Sequence, residues 1–594
     1  MNSAQPLLPA RSLAVLIVMA LAPLWFAGIF GRGLWTPDEP READIAWRMS
    51  RQADRTLPEL AGTPFLEKPP LSYWMSAAAI SVFGDSAAAA RAPNLLYAAL
   101  TAVAVGALAL AMQSGAVAAL FAALVAASAL TAFRVSVWLA PDACLLAGNA
   151  LALLGAWHGY RSPAGSAKAA GYTLMHLGAA VGFMAKSAPG WLVPALALAA
   201  IIVWERRWSE LRRWELYAGL VLQALIIGPW VFAVTRSAHG ADALRTLFWN
   251  NMLGRFTRLN APTALDYTRG HRNTPGKYLL ELPLYLLPWT LIVAAALARA
   301  WRRVKEATAQ ATAWRFALCA SLPFLVLLSF AATARDIYAA PALLGFAALA
   351  GLWSGDVQRA PSRVDRLAIA GTRVLVGALA ALLVGCLALL IVSGAGPLLA
   401  CFAAALSAGV SALAALMLAT RSQQSGDLQR TLLWTYTAYA AAVCFSALAL
   451  LPVIDRWQDL PALAQRIHAD TARGPLALLD PDETTIAILD RGLNTRFTVL
   501  STDREPSPGV VSRWFNEEGR EARLLVLLPG HAPGALAGWF GHLRAPPAED
   551  DGIAARLTAS GTATLVRRYE LPLGRRYALL GPPPAAARVT EGEY

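Results

Sequence analysis

Two short stretches of this 594-residue chain hold the residue types of chemistry. "WTPDEPREADIAWRM" (Trp35–Met49) sets Asp38 beside Glu39, flanked by Pro37 and Pro40 and followed by Arg41, Glu42 and Asp44. "TPFLEKPPLSYWM" then gives Glu67 and Lys68, thirty residues beyond Asp38. Carboxylates can accept a proton or face developing positive charge, and cations can hold an anion such as a phosphate. The plainer reading is a solvated helix face in a polar loop. Against it, the prolines fix local backbone direction, and Trp35, Phe65, Pro69, Pro70, Tyr73 and Trp74 suit a membrane interface. Charges held near a bilayer are costly unless paired or functional. On residue types alone both readings stand.

The elements that must position these groups are apolar. The chain is 57% hydrophobic and 15% charged, where a soluble protein carries roughly 25% charged residues. Before residue 455, runs of about 17 to 24 apolar residues recur, each long enough to cross a bilayer. This predicts a polytopic α-helical membrane protein of about thirteen spans: 13–30, 92–112, 115–134, 143–159, 171–185, 188–204, 215–235, 279–300, 316–333, 337–354, 374–394, 398–419 and 431–453. The run Leu13–Phe30 is longer than a leader's apolar core and no A-x-A site follows it, so it is expected to be an uncleaved first span. Segment 71–84 is expected to be an amphipathic juxtamembrane helix lying in the interface. All five cysteines lie in or beside apolar runs, against a disulfide framework or a Cys-rich metal site.

Net charge is +13, yet residues from Asp455 onward hold 16 basic and 18 acidic side chains, a net of −2, which leaves +15 for residues 1–454. That excess marks loops at a membrane surface, and no aromatic-interleaved basic stripe argues for nucleic acid. With thirteen spans, the basic loops 205–215, 301–315 and 358–373 share one side, and the positive-inside rule makes it cytoplasmic together with the N-terminus. Outer loops 31–91 and 236–278 then face the periplasm of a bacterial inner membrane, as does everything after 454. Two domains are expected: a transmembrane domain, 1–454, and a soluble periplasmic α/β domain, 455–594. In the latter, 475–480, 497–502, 522–529 and 562–571 read as strands, and 481–493, 509–519 and 534–543 as helices. It lacks a phosphate-cradling glycine loop or nucleophile elbow, which suits an assisting role.

"PDEPREADIA", then "PFLEKPPLSYW", then "GRF" and "LPW" within 254–289 together resemble the C-type glycosyltransferases that use polyprenyl-phosphate sugars. The chain is most similar to the bacterial lipid A aminoarabinose transferases and their relatives among the protein mannosyltransferases, most clearly over 10–360. The resemblance implies the C-type membrane fold and a sugar transfer, inverting at the anomeric carbon, from an undecaprenyl-phosphate donor. It makes Asp38 the essential acid of the first loop, opposite the leaving phosphate, with Glu39 orienting it. A hydroxyl acceptor would need Asp38 as base; an ionised lipid A phosphate would need only positioning.

Lys68 matches a lysine that meets the donor phosphate, and Glu67 its acidic partner; headgroup snorkelling is the alternative for Lys68. Arg41 joins that phosphate set by charge, since a leaving phosphate gains negative charge. "VWLAPDACLL" gives Asp142, which an N-cap role would also explain. "FAATARDIYAAP" resembles the family's basic-x-x-Tyr-x-x-Pro pattern near the lipid phosphate, which implies Arg335 and Tyr338 as donor-phosphate residues; a plain turn between spans would also explain it. Arg255 matches the family's arginine. Asn251 and Met252 stand where aminoarabinose transferases have a Glu-His pair, which removes a metal ligand. His271 could approach the site, but one histidine with scattered carboxylates is a poor zinc set, so no cofactor or divalent metal is supported. His158 and His176 read as structural.

The leading expectation is transfer of 4-amino-4-deoxy-L-arabinose or another amino sugar to lipid A phosphate by a monomer. The alternative is a protein or another envelope glycan as acceptor; Glu42 stands where close aminoarabinose transferases have Tyr. A lipid-linked sugar transporter is more distant, because no internal repeat or mid-membrane charge pattern is evident.

Overall fold

The computed structural model describes residues 10–253, 273–306, 308–491, 493, 495–502, 507–528, 552–572 and 575–584. The chain divides into two compact units. Within the described residues, one contains the chain up to Arg32, Arg48–Glu59 and Pro64–Leu451; the other contains Gly33–Trp47, Leu60–Thr63 and the chain from Pro452 onward.

The first unit is helical. Each of the thirteen apolar stretches is helix over most of its length. Among the described residues, eight helices are long and apolar enough to cross a membrane, and ten when two bent pairs each count as one span. The pairs are Ala116–Ser128 with Leu130–Val137, bent 67°, and Lys277–Tyr285 with Thr290–Arg303, bent 118° with Pro288 in the break. Three further helices, Asp142–Arg161, Ser166–Lys186 and Pro189–Glu205, are more polar, richer in glycine or shorter. Most of Asp142–Arg161 is buried by other helices, so polar and small residues there need not face lipid. The protein is a multi-pass membrane protein.

Glycines set the spacing of the pair Asp142–Arg161 and Ser166–Lys186. A Cβ on Gly155 would fall 2.2 Å from the Met175 nitrogen, and one on Gly178 would fall 2.4 Å from the Ala152 nitrogen. The two backbones therefore touch, as in small-residue helix contacts within membranes. At the start of the unit, buried Arg91 donates to the Ile29 carbonyl (2.6 Å) and the Arg32 carbonyl (3.2 Å), fixing the end of helix Ala10–Ile29.

Helix Leu71–Phe83 corrects one expectation. Its buried side includes Ser72, Tyr73 and Ser76, whereas Val82 and Phe83 are exposed. It is a short apolar helix of 13 residues whose outer face is mostly apolar, because Ser72, Tyr73 and Ser76 turn toward protein and Ser81 alone of its hydroxyl residues is exposed.

The three basic loops meet on one face of the first unit. Glu205 accepts from Arg315 (3.2 Å) and Tyr160 (2.8 Å). Asp356 accepts from Arg299 (2.9 Å) and Arg303 (2.6 Å), and Asp365 pairs with Arg299 while closing a capping box with Ser362.

The second unit has an α/β fold. Earlier in the chain β1 (Glu59–Leu60) and β2 (Thr63–Pro64) form a two-stranded ribbon; the strands of the second unit's sheet are β3 (Leu476–Leu479), β4 (Thr498–Leu500), β5 (Arg523–Leu527), β6 (Thr564–Glu570) and β7 (Arg576–Gly581). The sheet order is β4-β3-β5-β7-β6, with β3 parallel to β4 and β5, and β7 antiparallel to β5 and β6. Alternate residues face opposite sides. Ala477, Leu479, Leu524 and Val526 pack with Trp514 and Leu557; Leu476, Leu478 and Leu525 pack with Leu463 and Ile467. The four expected strands and the helices Glu483–Asp490 and Ser507–Glu518 are present. Strand β7 and helices Leu460–Thr471 and Gly552–Ala559 were not expected. The helix expected over 534–543 lies outside the described residues.

Candidate active site

The acidic loop is not a solvated face. Asp38 is 8% exposed, Glu39 0%, Glu42 3% and Asp44 0%. Helix Glu39–Arg51 starts with acidic residues in its first turn and ends with Arg48 and Arg51 in its last, matching the helix dipole. The Glu39 carboxylate accepts from the Trp35 backbone N–H at 2.9 Å, so Glu39 orders the turn that presents Asp38. The Arg41 guanidinium bridges Asp38 (3.3 Å), Glu42 (2.6 Å) and Glu483.

Residues from the end of the chain hold this loop within the second unit. Asp455 accepts from the Gly33 N–H (2.7 Å) and from the Trp35 indole N–H (2.9 Å). Thr36 donates to the Gln458 side-chain carbonyl at 3.2 Å, and Thr484 donates to the Pro37 carbonyl at 2.9 Å. A Cβ on Gly33 would lie 2.7 Å from an Asp455 carboxylate oxygen, so a side chain there would push that carboxylate aside.

The first unit encloses a cavity of about 80 Å³ that Glu67, Lys68, Asp142, Lys186, Asn251 and Tyr338 help to line. The Lys68 ammonium lies 3.8 Å from Glu67, and both side chains are buried. A lysine snorkelling to lipid headgroups would extend outward; this one faces protein and cavity. Asp142 is the first residue of its helix, which the preceding Pro141 starts without a side-chain cap. Its carboxylate instead accepts from the Lys186 ammonium at 2.5 Å. That ammonium also sits 4.9 Å from the centre of the Tyr338 ring. Asp142 at a helix N-terminus and Lys186 at a helix C-terminus both sit favourably in the helix dipoles.

Lys186 is the cavity residue that the sequence reading missed. It falls one position beyond an expected apolar span, and nothing local distinguishes it from a span-end lysine. The signal available was Ser187-Ala-Pro after it. Ser187 has φ +59, a left-handed conformation uncommon outside glycine and often found at functional sites, and it breaks the helix as Lys186 reaches the cavity.

Arg335 lies elsewhere: it lines a second cavity, on the other side of the short turn Asp336–Ala339 from Tyr338. Arg255 and His271 lie outside the described residues. Among the described residues, no three His, Cys, Asp or Glu side chains cluster as a metal set. His176 has both ring nitrogens bonded, to Gln223 and to the Leu216 carbonyl, each at 2.9 Å, a structural arrangement.

Residues 15–243 match the dolichyl-phosphate-mannose-protein mannosyltransferase family. An undecaprenyl phosphate-alpha-4-amino-4-deoxy-L-arabinose arabinosyl transferase of Edwardsiella ictaluri is 32% identical over 351 residues, covering 59% of each chain. One from Pseudomonas paraeruginosa is 30% identical over 63% of this chain and 65% of its own. The chain thus matches about six-tenths of the length of these curated relatives. In fold, the crystal structure of ArnT from Cupriavidus metallidurans bound to undecaprenyl phosphate aligns over 96% of this chain and 98% of its own, with TM-score 0.68 at 19% identity. The resemblance drawn from the motifs and the expected fold class are both borne out.

Proposed function

From a chain similar in sequence and fold to the C-type glycosyltransferases, we propose a membrane enzyme that moves a sugar from undecaprenyl phosphate to a lipid A phosphate. The sugar is 4-amino-4-deoxy-L-arabinose or a close amino sugar, by analogy with the names of its relatives. One observation carries the reading: a buried cavity in which Lys68 and Lys186, each beside a carboxylate, stand with Tyr338. Two buried ammonium groups suit a phosphate that gains charge as its bond to the sugar breaks.

In the proposed reaction an oxygen of the acceptor phosphate bonds to the anomeric carbon as the bond from that carbon to the donor phosphate oxygen breaks. Undecaprenyl phosphate leaves, and the configuration inverts. An ionised acceptor phosphate needs no base, so Asp38 positions the acceptor and stabilises positive charge on the sugar, with Glu39 fixing its turn. Lys68 and Lys186 hold the donor phosphate against Tyr338; Arg255 is a further phosphate cation only by its motif. The site takes no metal in this reading. Expected topology puts the basic-loop face in the cytoplasm and the acidic loop, with the C-terminal α/β domain, on the periplasmic side of the inner membrane.

The test is transfer by the purified enzyme from the lipid-linked sugar, read by mass spectrometry of lipid A phosphates. Asp38→Asn and Lys68→Ala are expected to abolish it with membrane insertion intact. Near wild-type transfer by either variant would overturn the site. The mannosyltransferase match over residues 15–243 favours a protein acceptor as the second reading; sugar appearing on protein and not on lipid A would select it.

A further inference from the structure

The stretch "ERRWSELRRWELY" (Glu205–Tyr217), at the basic-loop face of the first unit, takes no part in the reaction proposed above. Its three carboxylates turn inward. Glu205 accepts from Arg315 and Tyr160, and Glu210 accepts from Lys168 at 2.5 Å and the Tyr172 hydroxyl at 2.6 Å. Glu215 is buried and accepts from the Gly165 N–H at 2.9 Å. The cations turn outward instead: Arg206, Arg212 and Arg213 are exposed, with Trp208 and Trp214 between and beside them at 54% and 64% exposure. The outer side of this turn is therefore cationic and aromatic.

Beside it opens a cleft of about 930 Å³. The cleft runs along helix Ser166–Lys186, between residues 191–202 of helix Pro189–Glu205 and residues 220–231 of helix Leu220–Arg236. At one end the turn itself supplies Leu211, Leu216 and Tyr217 to the lining. The polar groups of the wall are already occupied. His176 and Gln223 bond each other at 2.9 Å, and the Tyr217 hydroxyl donates to the Leu211 carbonyl at 2.7 Å. What remains is apolar. The helical rise along either flanking helix is about 16 Å, half of a hydrocarbon core of about 30 Å. The cleft is one leaflet deep.

Interface anchoring explains an exposed ring of arginine and tryptophan, but not a cleft of this depth beneath it. We propose that the cleft binds an anionic phospholipid of the leaflet at the basic-loop face, its acyl chains between the helices and its phosphodiester at Arg212 and Arg213. These arginines are chain neighbours, about 3.8 Å apart at Cα, and Leu211 just before them lines the cleft. The planar fork of arginine matches the two free oxygens of a phosphodiester, and basic pockets between membrane helices suit such headgroups. A zwitterionic headgroup brings its own ammonium group and gains less from the pair. A polyprenyl phosphate fits less well, because Lys186 and its cavity stand at the opposite end of helix Ser166–Lys186 from this turn.

The experiment measures lipid binding to the full-length enzyme in detergent by native mass spectrometry, with dioleoyl phosphatidylglycerol and phosphatidylcholine as probes. The wild type is expected to prefer phosphatidylglycerol at least tenfold. Arg212→Gln with Arg213→Gln should remove that preference. Arg359→Gln with Arg363→Gln, an equal loss of charge at exposed positions of another loop on the same face, should change it less than twofold. Ala199→Trp fills the cleft from an exposed position in its wall. It should weaken dioleoyl phosphatidylglycerol at least tenfold and leave the dihexanoyl lipid within twofold; Ala195→Phe, exposed in the same wall, is the second variant should the first fail to fold. Equal affinity for the two headgroups, or equal loss from both arginine pairs, would overturn the proposal in favour of diffuse charge. Full dioleoyl binding by the filled cleft would leave only a surface contact and overturn it too. Undecaprenyl phosphate displacing phosphatidylglycerol at equal concentration, through the same residues, would assign the cleft to the donor chain.

Discussion

Helices Asp142–Arg161 and Ser166–Lys186 carry a buried lysine–carboxylate pair at each end. At one end Lys168 meets Glu210 at 2.5 Å, donates to the Gly159 carbonyl at 2.7 Å, and shares Glu210 with the Tyr172 hydroxyl at 2.6 Å. At the other end Lys186 meets Asp142 at the same distance, but over a cavity and an aromatic ring. A helix of 20 residues separates the ends by about 30 Å. Both lysines are buried, so burial and pairing alone do not mark a site. What differs is the surroundings. Around Lys168 the hydrogen bonds come from fixed groups of the same fold; around Lys186 space remains for a ligand.

This difference can be broken by four experiments, taken from the largest effect to the smallest. Lys168→Met leaves buried Glu210 with only Arg207 at 3.6 Å and the Tyr172 hydroxyl, and is expected to cost about 3 kcal/mol of stability, the low end for breaking a buried pair. Transfer per folded molecule should not change. Unfolding in mixed micelles together with a turnover assay checks it; lost turnover in the folded fraction would mean the two ends are not distinct. Lys186→Met should do the reverse and cut transfer by about 10²–10³, the loss typical of one donor to a developing anion. An effect on stability alone would make Lys186 a second Lys168. Third, Gly155→Ala drives a Cβ toward the Met175 backbone and should cost about 1–3 kcal/mol by overpacking. Because that contact spaces the pair that joins both ends, transfer and stability should fall together; a silent substitution would show that the helices are not held by their glycines.

Much of this contrast was legible in the sequence, and the part that was not has a physical cause. The thirteen apolar runs announced their helices because length and composition are local properties. "PDEP" and "FLEKPP" stood out because charge beside proline at a membrane edge is costly and therefore conspicuous. Lys186 did not, since its meaning comes from Asp142, 44 residues away; the glycines at 148, 155 and 159 and at 171, 178 and 182 carry a shared spacing that marks a close helix contact, but not which charged groups lie at its ends. The amphipathic reading of 71–84 failed because composition cannot say which neighbour a serine faces. Strand β7 was hidden behind Pro572 and its own leading arginines; its burial comes from lying between β5 and β6. Asp455 and Glu483 were the least legible of all. They act on Gly33 and Arg41 across 422 and 442 residues, a separation at which no local pattern survives.

That long reach supplies the smallest of the four effects and the one that tests what the end of the chain contributes. Asp455 offers one carboxylate oxygen to both the Gly33 N–H and the Trp35 indole, just before the Glu39 cap and Asp38. Two such bonds at about 0.5–1.5 kcal/mol each should hold the loop without holding up the fold. Asp455→Ala removes both and is expected to lower kcat for transfer about tenfold, equivalent to about 1.4 kcal/mol, with donor KM moved less than twofold. Asp455→Asn keeps a carbonyl oxygen for the same two donors and should stay close to wild type. If the asparagine variant falls as far as alanine, the negative charge matters and the acceptor geometry does not. If neither falls, the loop is ordered by Glu483 and Thr484 alone, and the clamp at Gly33 has no part in presenting Asp38.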